Sequence, residues 1–118
     1  MIYRLICAAL LPLMLSACAS DPAPTEQLRL SEQALSQAEA LGISTEQSPS
    51  LRLAEEKLAL AQAAMQDQDY KQARVLAEQA ELDARLAEAE HLTEKSRQQL
   101  VELSNAINRL RKQLGSVQ

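Results

Sequence analysis

Cys18 is the residue best placed for chemistry, with Leu15-Ser16-Ala17 directly before it. Its thiolate is a nucleophile, and small side chains beside it let a peptide backbone approach a protease. A second cluster is Glu88, His91 and Glu94, spaced by three and so on one helical face. These could hold a metal, but three ligands so spaced do not converge without a second helix. His91 is therefore expected to be a partly exposed, ion-paired side chain, and no metal site is expected. It is the only histidine, so no triad can be built. The carboxylate pairs Glu55-Glu56, Asp67-Asp69 and Glu88-Glu90 read as solvated faces. Tyr70, His91 and Asp69 make no catalytic constellation; neither catalytic residues nor an enzyme are expected.

The segment before Cys18 must present it. Arg4 gives a positive start, Leu5 to Leu15 is an apolar run broken only by Pro12, and Ser16 and Ala17 are small. That is the layout of a secretory signal peptide. The run of 11 residues is short of the roughly 20 that cross a bilayer. Leu15-Ser16-Ala17-Cys18 resembles the lipobox of bacterial lipoproteins. The resemblance implies cleavage before Cys18 and a covalent diacylglycerol and N-acyl chain on its sulfur and amino end, with no other cofactor. More than one acyl chain anchors stably. In Gram-negative lipoproteins an Asp after that cysteine retains the protein in the inner membrane. Ala19 and Ser20 follow it here, implying the outer membrane, facing the periplasm. Cys7 leaves with residues 1–17, so the mature chain has no free thiol and no disulfide. Loss of Arg4 leaves 11 bases against 16 acids, a net side-chain charge of −5.

Composition bounds the rest. Aromatics are 2% of 118 residues, with no Trp and no Phe. The chain is rich in Ala, Leu, Glu, Gln and Arg, the strong helix formers, which excludes a β-sandwich or barrel. Its acidity argues against nucleic acid as a partner.

Residues 18–24 read as lipidated Cys and tether, with Pro22 and Pro24 keeping the backbone extended. A first helix is expected over 25–41, with Thr25 as N-cap, Leu28, Leu30, Ala34, Leu35, Ala38 and Leu41 apolar, and Gly42 as left-handed cap. Ser48-Pro49 opens a second helix, with a narrow seam at Leu51, Ala54, Leu58, Ala61 and Met65. The segment 66–69 breaks it and Asp69 caps a third helix from Tyr70 to about Leu114. At 1.5 Å per residue that helix spans about 67 Å, against roughly 27 Å for each shorter one.

The third helix carries two stripes. One is Ala73, Ala77, Ala80, Ala84 and Ala87. The other runs Val75, Gln79, Leu82, Leu86, Ala89, Thr93, Ser96, Leu100, Leu103, Ile107, Leu110 and Leu114. A helix apolar on two sides is covered on two sides, so its first half is expected to lie between the short helices. Beyond, the stretch Leu100–Leu114 is expected to be an interaction seam for a coiled coil with self or another envelope protein; the alternative is that one short helix slides along and covers it, or that the tip frays. The expected fold is all-α: a bundle over 25–90, two short helices on a long third, with a coiled-coil-like extension over 91–118.

Over residues 26–90 the order is an apolar helix, Ser48-Pro49-x-Leu51, Ala54-x-x-Lys57-Leu58-x-x-Ala61, and Asp69-Tyr70-x-x-Ala73-Arg74-x-Leu76-Ala77-Glu78-Gln79-Ala80. This resembles the bacterial envelope family called domain of unknown function 4398. The resemblance implies a helical domain behind a lipoprotein signal. Some members precede an OmpA-like peptidoglycan-binding domain, which does not follow here. The chain also ends without the C-terminal Lys that a Braun-type lipoprotein links to peptidoglycan, so covalent wall attachment is not expected. The expectation is an outer-membrane-anchored structural or adaptor protein, homo-oligomeric or bound to an envelope partner. The alternative is a peptidoglycan- or lipid-binding protein.

Overall fold

A computed structural model describes residues 21–115. Three helices follow one another: α1 (Thr25–Ala40), α2 (Pro49–Gln66) and α3 (Tyr70–Gly115). The expected helix ends hold to within one residue, because the turn chemistry is local. After α1, Gly42 takes φ 81°. Its N–H donates to the Glu39 carbonyl (2.8 Å), while Ile43 N–H donates to that of Ala38 (3.3 Å). This Schellman turn tucks Ile43 into the core. At α2, Ser48 Oγ accepts from Leu51 N–H at 3.2 Å, with Pro49 in the first turn. At α3, Asp69 Oδ1 accepts from Gln72 N–H at 3.1 Å. Thr25 is different. The helix begins on it, Pro24 occupies the cap position, and the Thr25 hydroxyl donates back to the Ala23 carbonyl.

The turn between α2 and α3 repeats the Schellman pattern without glycine. Gln68 N–H donates to Met65 O, Asp69 N–H donates to Ala64 O, and Gln68 sits at φ 60°. A side chain in the left-handed region is strained by about 1–2 kcal/mol, and glycine returns part of that as unfolded-state entropy. Gln68→Gly is expected to raise the unfolding free energy by about 0.5–1 kcal/mol, read from the urea midpoint.

The helices run up, down, up. Ser50 Oγ donates to Glu90 Oε2 at 3.0 Å and Lys57 is ion-paired with Asp83, so α2 lies antiparallel to α3. Gln62 bonds Glu32 across to α1. At the other end Arg74 Nη2 donates to Pro22 O at 3.2 Å, fixing the tether beside the start of α3. The short helices pack chiefly on α3 and least on each other.

The core is made of small residues. Ala73, Ala77, Ala80, Ala84 and Ala87 form the buried face of α3, matched by Leu51, Ala54, Ala61 and Ala64 of α2 and by Ala34, Leu35 and Ala38 of α1. Leu51 is the largest side chain fully enclosed. Ala64 joins the expected α2 seam, with Leu58 and Met65 half-buried, and Leu41 is exposed. Buried Ser31 satisfies its hydroxyl on Leu28 O at 2.8 Å, as a buried polar group must.

The Val75–Leu86 stripe corrects the expected arrangement. Both short helices lie on the alanine side of α3, so nothing among the described residues covers its other side. Val75, Leu82 and Leu86 are 45%, 66% and 48% exposed. The two stripes are offset by two residues, about 200° around the helix, and one pair of helices cannot serve both. The physical cause is the narrow apolar face of each short helix, which is saturated by the alanine face.

Candidate functional site

The bundle stops at His91. From residue 92 to 115 every described side chain is exposed except half-buried Ala106. That projecting segment is 24 residues, about 36 Å of single helix. The tip lies about 60 Å along α3 from Arg74, where the tether joins.

Along this segment Leu100, Leu103, Ile107, Leu110 and Leu114 stand on one face, from 41% exposed at Ile107 to 73% at Leu114. They continue the line of Val75, Leu82 and Leu86 in alternating steps of four and three. The exposed seam therefore runs from Val75 to Leu114, where the sequence suggested exposure only from Leu100 onward. The signal available in the sequence was the saturation of the alanine face by two narrow helices. An exposed apolar stripe on this scale, broken only by Gln79, Thr93 and Ser96, is more than a monomeric soluble protein ordinarily leaves bare.

Polar residues hold the lone helix. Glu94 accepts from Arg97 Nε at 3.0 Å and from Gln98 Nε2 at 3.1 Å. These hydrogen bonds, Arg97 first, hold the Glu94 carboxyl below the usual glutamate range. The pair is fully formed above that range and is lost only as pH falls through the lowered pKa of the folded state. Such pairs matter most where no packing supports the backbone.

Glu94 is thereby taken from His91. His91 is half-buried and makes no ion pair among the described residues, which corrects the expected pairing: the Arg97 guanidinium is a stronger partner than an imidazole. Glu88 keeps one buried carboxylate oxygen without a partner. No group of three His, Cys, Asp or Glu arranged for a metal occurs among the described residues. The notch where the α1–α2 loop meets α3, lined by Ile43, Ser48, Ala87, Glu90 and His91, holds ≈ 240 Å³, less than drug-sized ligands need.

Leu15, Ser16, Ala17 and Cys18, the expected cleavage and lipidation positions, lie outside the described residues. Among the described residues no helix is long and apolar enough to cross a membrane.

Residues 26–103 match the family described as "Domain of unknown function (DUF4398)". The chain belongs to the DUF4398 family. A crystal structure of a DUF4398 family protein from Pseudomonas aeruginosa PAO1 is 58% identical, covers 82% of this chain and 100% of its own, and superposes with a TM-score of 0.77. No curated protein matches the chain. The DUF4398 match spans the whole bundle and runs into the projecting helix as far as Leu103; Ile107, Leu110 and Leu114 lie beyond it.

Proposed function

We propose that the protein is a lipid-anchored rod of the Gram-negative envelope. Acyl chains on Cys18 hold it on the outer membrane facing the periplasm, and α3 docks a helical partner through its leucine seam. Its work is structural or adaptor-like and involves no catalysis. The observation that carries the docking half is the inversion of side-chain size: alanines are enclosed while Leu82, Leu100, Leu103 and Leu110 are each more than half exposed. The anchoring half is supported by Leu15-Ser16-Ala17-Cys18 behind a charged and apolar start, followed by Ala19-Ser20.

A peptidoglycan- or lipid-binding role is the second reading. One observation favours it: residues 92–115 carry five bases (Lys95, Arg97, Arg109, Arg111, Lys112) against two acids (Glu94, Glu102), a basic amphipathic helix of the kind that lies on anionic surfaces.

Mass spectrometry of the amino end purified from membranes tests the anchor. The expected product begins at acylated Cys18; an unmodified amino end anywhere else overturns it. Flotation of the unlipidated chain on anionic vesicles separates the two readings. Negligible binding is expected, and strong binding establishes the second.

A further inference from the structure

The seam and the charges beside it change together along α3. On α3 itself, residues 70–91 carry five acids and three bases, a net charge of −2, while the projecting segment, 92–115, is at +3. The exposed seam crosses that boundary, interrupted there only by Thr93 and Ser96. An anionic surface would attract the tip and repel the half that runs over the bundle. The ligand that suits both halves has an apolar stripe of the same length with its charge gradient reversed. The same chain laid in the opposite direction has that pattern.

We infer that α3 pairs antiparallel with α3 of a second copy, over the full stripe from Val75 to Leu114. This rests on the docking reading above and names its occupant. In the register that uses the whole stripe, Val75 lies level with Leu114 of the other copy, Leu82 with Ile107 and Leu86 with Leu103. Thr93 and Ser96, the central polar interruptions, then meet each other, where the Thr93 hydroxyl, itself donating to Ala89 O, can accept from Ser96. Gln79 lies level with Leu110 and Ala89 with Leu100. Slipping by one heptad sets Thr93 against Leu103 and leaves Val75 unpaired. Beside the stripe, Glu90 falls next to Arg97 of the other copy. A parallel pair would set bundle against bundle and tip against tip, each of like charge. The short helices do not obstruct either copy, because they occupy the opposite face of α3.

The test uses the soluble chain from Ala19 onward, which contains no cysteine. A relative fully covered by 82% of this chain folds and crystallises. Single spin labels are placed at Lys95→Cys and, separately, at Lys112→Cys, and distances between copies are read by pulsed electron resonance. Antiparallel pairing sets residue 95 beside residue 94 of the other copy, a short distance. It sets residue 112 level with residue 77, so two labels at 112 are about 52 Å apart. Short distances at both positions mean a parallel pair and overturn the inference while leaving the docking reading intact. No distance between copies at either position overturns self-pairing; in-cell adducts from Leu103 to a foreign protein then decide the docking reading separately. A charge swap adds a second readout. Glu90→Arg and Arg97→Glu are each expected to weaken association at least tenfold, and the double variant to regain it. Seven residues part the two on their own helix, so rescue requires contact between copies.

Discussion

Replacing Leu103 and Ile107 together by Asp is expected to abolish association of the soluble chain in sedimentation equilibrium while leaving its helix content unchanged. Both side chains are exposed, so no intramolecular packing is lost and the bundle, which ends at His91, is untouched. In the paired state each forms a layer with the other copy, at Leu86 and Leu82, so four layers are affected in the dimer. Burying a Leu or Ile is worth about 1.5–3 kcal/mol, and an Asp at the same place adds desolvation of a charge. The dissociation constant should rise more than a thousandfold, since each tenfold is about 1.4 kcal/mol. Weakening of less than tenfold would remove the seam from the interface. If the native soluble chain is already monomeric at high concentration, self-association fails and a foreign partner is the remaining occupant.

Enlarging an alanine should do more harm to the fold than removing a leucine. Ala77 and Ala84 are wholly enclosed against α1 and α2, whereas Leu82 is 66% exposed. Ala84→Leu is expected to lose about 2–3 kcal/mol, the upper range for overpacking a filled core. That is a large share of the roughly 5–10 kcal/mol available to a domain of this size. Leu82→Ala, measured at a dilution where the chain is monomeric, should change stability by about 0.5 kcal/mol or less. Urea titrations of the two variants decide the matter. A larger loss from Leu82→Ala than from Ala84→Leu would mean that the leucine stripe, not the alanine stripe, faces the core.

The helices and their caps were legible in the sequence because each signal is local. Ser48-Pro49, Gly42-Ile43 and Asp69 act within a few residues, and each makes the hydrogen bond that its type implies. The alanine stripe was also legible, since steps of four and three at 73, 77, 80, 84 and 87 put small residues on one line. Which side of α3 the short helices choose was not. Periodicity gave two faces of similar length, and the decision belongs to tertiary packing: α1 and α2 have narrow faces that the alanines fill at close approach, and both settle there. The seam was consequently read from Leu100 onward and proved to begin at Val75. His91 was misread for a related reason. Its neighbours at three residues' distance were identified, but the competition of Arg97 for Glu94 depends on geometry that spacing alone does not rank.

Site-specific photocrosslinking in living cells addresses the docking seam most directly. A photoreactive residue at Leu103 or Leu110, on the seam, and one at Gln98 or Asn105, off it, are compared in the lipidated protein. Discrete adducts are predicted from Leu103 and Leu110 and none from Gln98 or Asn105. Equal yield from all four positions, or no adduct from the leucines, would contradict a docking role for α3.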